Sequence, residues 1–362
     1  MGPSQHALLI YPGVQGFPRR AEWVYADKRE ASYGVYARYE GGKSMSGQID
    51  LREVDQVEIL SLSDNYNDLI SMDSSEIVTR AVPVRDMEVK GSILAEHGFS
   101  AVVKTVSGEE THELFFDFGL SDVAVPYNAD KLGVDLSGLE AAVLSHGHMD
   151  HFGALIPMIA AIPGKPVPFY VHPCAFKENR YLRVGDIRIK FPPADRAAWE
   201  QAGAEIIESA GPSLLAGDTV LFLGEIERLT DFEKGMPNAY FEKDGEESWD
   251  PIEEDSAIVM NLRGKGLVVL SGCSHSGIVN TVTYARKVTG VDRVHVVMGG
   301  FHLTGPVFEP IIDKTIAGLQ AFDPDYVVPT HCTGRKAVMA FEEAMPDNFI
   351  LNMAGTRLTF RA

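Results

Sequence analysis

Apolar positions along this chain fall into two rhythms. From Val54 the stretches VDQVEILSLSDNYND, GFSAVVKTVSG and HELFFDFG alternate or run apolar and close on turn residues, which predicts consecutive sheet strands. Near Gly138 the texture changes: EAAVLS predicts a buried strand, and HFGALIPMIAAIPG an apolar helix stopped by Pro-Gly. Farther on, PVPFYVHP predicts a strand, RAAWEQAGAEIIES a helix and DTVLFLGEI another strand. Three similar units follow, GLVVLSGCSHSG, VHVVMGGFHL and YVVPTHCTG, each an apolar strand breaking into a Gly-bearing turn with a histidine. Two sheet-forming halves alternating with helices predict an α/β layered sandwich with the helices outside. Residues 1–50 lack sustained periodicity and are assigned to an N-terminal extension, leaving one catalytic domain over 51–362. The acidic, aperiodic stretch 229–256, with FEKDGEESWDPIEED, is expected to be a surface loop or lid inserted between strands.

Composition narrows the function. The 362 residues carry 32 Lys+Arg against 51 Asp+Glu, a net charge of −19, with no basic block for a phosphate backbone or an anionic membrane to settle on. Nucleic-acid and membrane partners are therefore not expected, and a small-molecule substrate is. No stretch approaches the roughly 20 apolar residues that span a bilayer, and the N-terminus has no basic region ahead of its short apolar run. A cytoplasmic location is expected. The three cysteines, Cys174, Cys273 and Cys332, suit a reducing compartment better than a disulfide framework.

The chemistry concentrates at His146-Gly147-His148-Met149-Asp150-His151, between a strand and a helix. In an extended stretch His146 and His148 project to the same side, while Asp150 and His151 follow the turn toward a neighbouring point, so one segment can serve two metal ions. Four donors do not complete two coordination shells, and the strand-end residues His275 and His331, each followed by small residues, are expected to supply the rest. His302, in GGFHL, is read as a third ligand, a substrate-facing acid or a core histidine, and is grouped with Phe301 and Thr333 at the substrate. Cys273 and Cys332 adjoin these histidines and are either soft-metal thiolates or inert small hydrophobes. His97 and His172 are assigned structural or supporting roles, and His6, His112 and His295 likewise. Asp117 closes an apolar strand, where a carboxylate is costly unless hydrogen-bonded to a metal-bound imidazole or a turn.

With this cluster, preceded by FFDFG and followed by ordered strand-end histidines, the chain resembles the metallo-β-lactamase superfamily of binuclear metal hydrolases. SDNYND, EHGFS, LSHGHMDHFGAL, LGEIER, GCSHSGIVN, GGFHL and PTHCTG look closer still to the subgroup related to dihydropterin-methyl ribofuranosylaminobenzene-phosphate synthase. The resemblance implies a four-layer αββα sandwich with two metals at one edge of the paired sheets. It implies ligand roles for His146, His148, Asp150, His151 and His331. Where many relatives carry a bridging Asp, this chain reads Ser271-Gly272-Cys273-Ser274-His275, so that either His275 completes the first site or Cys273 stands near the bridging position. Glu225, in LGEIER, falls where a middle ligand motif would lie and is a minor candidate.

The expected function is that of a metal-dependent enzyme, a hydrolase before a transferase. Two divalent ions, Zn²⁺ first with Mn²⁺ or Fe²⁺ as alternatives, supply hydroxide that Asp150 orients, while His302 contacts the substrate or leaving group. The substrate is a small ester, lactone or phosphate-bearing molecule; the resemblance also allows ions that hold a diphosphate leaving group while pterin-like and aminobenzene-like partners are joined. The competing readings are an iron-dependent redox enzyme of the same fold, acting on O₂ or a persulfide, and a non-catalytic metal-stabilised binding protein.

Overall fold

Two sheets face each other, and each strand's residues divide between two cores. A computed structural model describes residues 48–82, 84–85, 87–89, 91–164 and 166–362; the extension assigned to 1–50 lies outside them apart from its last three residues. The first sheet runs, in spatial order, Ala204–Glu208, Val167–Val171, Leu139–Val143, Glu110–Phe116, Ser100–Ser107, Gln56–Ser63, Arg357–Arg361 and Val78–Thr79. The second runs Ser213–Leu215, Val220–Phe222, Ala257–Leu262, Gly266–Ser271, Val294–Gly300 and Tyr326–Thr330, with Glu53–Val54 alongside Ala257–Leu262.

Side-chain alternation sorts these strands. Along Gln56–Ser63, Val57 and Ile59 enter the core between the sheets, whereas Leu60 and Leu62 meet the outer helices. Along Gly266–Ser271, Val268 and Leu270 face the first sheet, while Leu267 and Val269 face the helices of the second. Burial on both faces explains why these strands read as nearly continuous apolar runs. Ala124–Leu132, Leu155–Ala161 and Arg196–Ala202 cover the first sheet; Ile278–Thr289, Ile312–Gln320 and Arg335–Ala344 cover the second. The four-layer αββα sandwich expected from the sequence is the fold observed. Among the described residues no helix is long and apolar enough to cross a membrane.

Two predicted elements differ. The helix expected across RAAWEQAGAEIIES ends at Ala202: Gly203 takes φ +111°, and Ala204–Glu208 leaves as a strand parallel to Val167–Val171. Its Ile-Ile pair follows the strand preference of β-branched residues. The acidic stretch is not a plain loop either. Ala239–Lys243 and Glu246–Trp249 form a hairpin turning at Asp244-Gly245, both at positive φ, the geometry that Asp-Gly favours. This hairpin pairs with Arg180–Val184, which pairs in turn with Ile187–Lys190, making a four-stranded sheet. With one face in water the hairpin has no strong apolar alternation, so its periodicity was faint.

Candidate metal centre

The strand Leu139–Val143 runs out at Leu144, and the next seven residues carry the first donors. Asp117, at the end of Glu110–Phe116, organises them from beneath: its carboxylate accepts the Ser145 N–H at 2.7 Å and the Ser145 hydroxyl at 2.7 Å, and lies 2.7 Å from Nδ1 of His151. Ser145 Oγ is in turn 2.9 Å from His146 Nδ1. Asp117 is fully buried, so those contacts offset the cost of its desolvation. It thereby fixes both the start of the loop, at Ser145, and the His151 ring. Gly272 lets the opposing strand end approach this support: a Cβ there would lie 2.1 Å from Ser145 Oγ.

The second sheet contributes one turn per strand. After Gly266–Ser271 come Cys273 and His275, after Val294–Gly300 comes His302, and after Tyr326–Thr330 come His331 and Cys332. Ser274, His302 and His331 all adopt positive φ, a conformation unfavourable for residues with a Cβ and found where a site dictates backbone shape. Buried carboxylates hold these turns. Asp64 accepts the His331 N–H at 2.8 Å and is anchored by the Asn352 amide at 2.6 Å, while Asn65 donates to the His331 carbonyl at 2.8 Å. Asp255 accepts the Ser276 N–H at 2.9 Å, beside His275.

Three donor groups result, in each of which the potential ligand atoms lie within 4.8 Å of one another: His146, His148 and His275; Asp150, His151, Cys273 and His331; and Cys273, His302 and Cys332. His151 Nε2 is 3.2 Å from Cys273 Sγ, and Asp150 Oδ2 is 3.2 Å from His331 Nε2. Of the residues the sequence left as alternatives, His275 lies with the first group and Cys273 with the second. Burial holds the His146 and His275 imidazoles well below their ordinary pKa and His148 down at about 3, leaving neutral rings with a free lone pair. His151 is the exception: burial opposes its protonation, but the charges of Asp117 and Asp150 outweigh it and raise its pKa to about 9. Burial likewise opposes ionisation of Asp150, yet His151, His331 and His97 hold its carboxyl far below the usual range. The residues fit divalent metal: the donor set is mixed imidazole, carboxylate and thiol, and Nε2 of His275 is buried without a hydrogen-bond partner.

His97, assigned a structural or supporting role, reaches 3.4 Å from Asp150 Oδ2, its ring centroid is 4.7 Å from that of His331, and its side chain is 59% exposed. Only its place in EHGFS hinted at this. Glu225 is exposed and belongs to none of the donor groups among the described residues. Thr333 is fully buried and its hydroxyl accepts the Phe301 N–H at 3.0 Å, so it braces the turn instead of facing a substrate. Phe301 packs on Phe341 in the core but also lines a pocket with His275, His302, Phe308 and, from the acidic segment, Phe232 and Glu233. His172 accepts the Cys174 N–H, His112 pairs with Glu140 and His295 with Asp325, as supporting residues would. His6 lies outside the described residues.

The foot of the acidic segment has a role that sequence reading missed. Arg180, buried beneath the first loop, pairs with Asp250 at 2.9 Å and with Glu254, and Lys177 pairs with Asp250 and Glu253. The Gly147 N–H donates to Glu254 at 3.4 Å. These acids therefore balance the buried Arg180 under the donor loop and the partly buried Lys177.

A model of the metallo-β-lactamase superfamily matches residues 107–286. The chain is 29% identical over 275 residues to 7,8-dihydropterin-6-methyl-4-(β-D-ribofuranosyl)-aminobenzene-5'-phosphate synthase of Methanocaldococcus jannaschii, across 74% of this chain and 90% of that protein. It is 32% identical over 267 residues to an uncharacterised protein of the same organism, across 72% of this chain and 92% of the relative. The crystal structure of Tm1679, a metal-dependent hydrolase of the β-lactamase superfamily, aligns with a TM-score of 0.64 at 24% identity, over 84% of this chain and 100% of that one. With the αββα layers, the donor loop at the sheet edge and these matches in agreement, this chain belongs to the metallo-β-lactamase superfamily.

Proposed function

We propose that the chain is a metal-dependent enzyme acting on a small phosphate-bearing molecule, and that His146, His148 and His275 hold one divalent ion while Asp150, His151, Cys273 and His331 hold a second. The observation that carries this reading is the adjacency of those two donor groups at the edge of the sandwich. Zn²⁺ is the first candidate, because imidazole, carboxylate and thiol donors all suit it. Bound there, such ions polarise a phosphoryl or carbonyl oxygen and lower the pKa of a coordinated water.

The protein's own groups supply the rest. Asp117 fixes the tautomer and direction of His151, and Asp64 fixes the His331 turn. Asp150, ionised and facing both His331 and His97, orients a nucleophile or a bound oxygen. His97, half out in solvent beside it, is placed to meet the charged end of a substrate. Hydrolysis is the leading outcome. Displacement of a diphosphate with joining of two partners is the second reading, favoured by the synthase relative, which aligns over 90% of its length.

The test is elemental analysis of protein purified without added metal, followed by a screen of esters, lactones and phosphorylated pterins. About two equivalents of zinc or manganese held by these two groups, with turnover of a phosphorylated compound, is the expected result. Iron as the native metal, or turnover that survives chelation, would overturn it.

A further inference from the structure

Of the three donor groups built from the loop 146–151 and the strand-end turns, two are used by the function proposed above and the third is not. We propose that Cys273, His302 and Cys332 form a separate thiolate-rich cation site, sharing Cys273 with the second group, that takes a soft or borderline ion such as Zn²⁺. The three donor atoms lie within 4.8 Å of one another. Two sulfurs on a tetrahedral zinc, with bonds of about 2.3 Å, sit about 3.8 Å apart, so small side-chain rotations suffice to close the site.

The surroundings are built for these groups. Cys273 and Cys332 are both buried, and they come from turns after strands that flank Val294–Gly300 on either side, the strand that delivers His302. Cys332 Sγ points at the Cys273 carbonyl, 3.6 Å away. Gly300 makes room for it: a Cβ there would lie 2.6 Å from the Cys332 sulfur and 3.3 Å from Cys273 Cα. Nδ1 of His302 is buried without a hydrogen-bond partner, and the residue is held at φ +44°. Such strain and an orphaned ring nitrogen are unfavourable in a packing residue and appropriate in a ligand.

The donor chemistry restricts the occupant. Two sulfurs and one imidazole exclude the hard ions Mg²⁺ and Ca²⁺, which take oxygen ligands, and favour Zn²⁺ or Cu⁺. Three protein donors leave a fourth position, and His302 also lines the pocket beside His275, Phe301 and Phe308. A fourth ligand would be supplied from the side of the pocket that His302 lines, unlike a structural zinc closed by four side chains. In this assignment His302 ligates metal instead of acting as a free acid.

The test uses the full chain, reduced, stripped with chelator and freed of reductant. Cobalt is titrated in while the sulfur-to-cobalt charge-transfer band is followed, zinc is counted by elemental analysis, and alkylation of each cysteine is mapped by mass spectrometry. The wild type should show a band of two-thiolate intensity and protect Cys332 from alkylation when zinc is bound. Cys332→Ser and the apolar Cys332→Ala should each lose one equivalent of zinc and about half of the band. His302→Ala should lose the same equivalent, and His148→Ala should keep the band. Unchanged zinc content in both Cys332 variants, a full zinc complement in His302→Ala, or equal alkylation of Cys332 with and without zinc would overturn the assignment. A band of one-thiolate intensity, unchanged in both Cys332 variants, would also overturn it while leaving the two groups of the function proposed above standing, whereas cobalt binding with no thiolate band would remove Cys273 from both groups.

Discussion

The two halves of the sandwich deliver their donors in opposite ways. The first sheet gives four from a single loop, 146–151, resting on Asp117 and on the buried Arg180 with its acidic partners. The second gives them one turn at a time from three neighbouring strands, each turn carrying a non-glycine residue at positive φ and two of them tied to the buried carboxylates Asp64 and Asp255. A contiguous loop needs one support to place several ligands. Dispersed ligands need a support each, and their spacing is fixed by the hydrogen-bonded register of the sheet. The first arrangement should therefore fail all at once and the second piece by piece.

Removing a donor from the loop is the strongest way to break that contrast. His148→Ala or Asp150→Ala should lower turnover by about a thousandfold or more, with the fold retained by circular dichroism and metal content reduced. Near-normal activity in either variant would show that the loop is not the seat of the chemistry. Next comes the support beneath it: Glu254→Ala leaves Arg180 buried with fewer partners and should destabilise the chain by roughly 3–5 kcal/mol in urea unfolding. The same pairing makes deletion of the acidic segment a stability experiment more than a test of a lid.

A titration sharpens the comparison from one side. Burial holds the His172 pKa down at about 4, against 6.5 for the unperturbed imidazole, so between these values the unfolded chain binds the extra proton. The stability tied to this residue is complete above pH 6.5 and is lost as pH falls toward 4, a total of about 3 kcal/mol. His172→Asn should flatten that part of the stability curve. Because His172 belongs to the first half, hydrogen exchange should record the loss in Val167–Val171 and its neighbours before Tyr326–Thr330.

The smallest effects concern the supports of individual donors. Asp117→Asn should weaken metal affinity by about 10–100-fold, since it loosens His151 and the Ser145 turn together. Asp64→Asn, which disturbs only the His331 turn, should fall at or below the lower end of that range, about tenfold. Both would be measured by competition with a chromophoric chelator. Equal losses would remove the distinction between a shared and a private support.

The strands, the sandwich and the loop 146–151 were legible because each leaves a local signal: apolar runs closed by turns, or four chemical groups within six residues. The acidic hairpin was not legible because its carboxylates, Glu242 and Glu247, are met only by partners far along the chain, Arg183 and Arg188. The strand Ala204–Glu208 was hidden behind a helix pattern because Gly203 breaks that pattern by backbone angle and not by polarity.

What the sequence by itself determined is therefore the inventory: which residue types end the strands, and that a dense His/Asp loop lies among them. Pairing was decided in three dimensions. Only the sheet register puts Cys273 with His151 and His331, sets His302 and Cys332 against the same thiol, and brings His97 to Asp150. Coordination and catalysis depend on separations of a few ångströms between residues tens to more than a hundred positions apart. Local pattern carries no record of those distances, which follow from the packing of two buried sheets against each other.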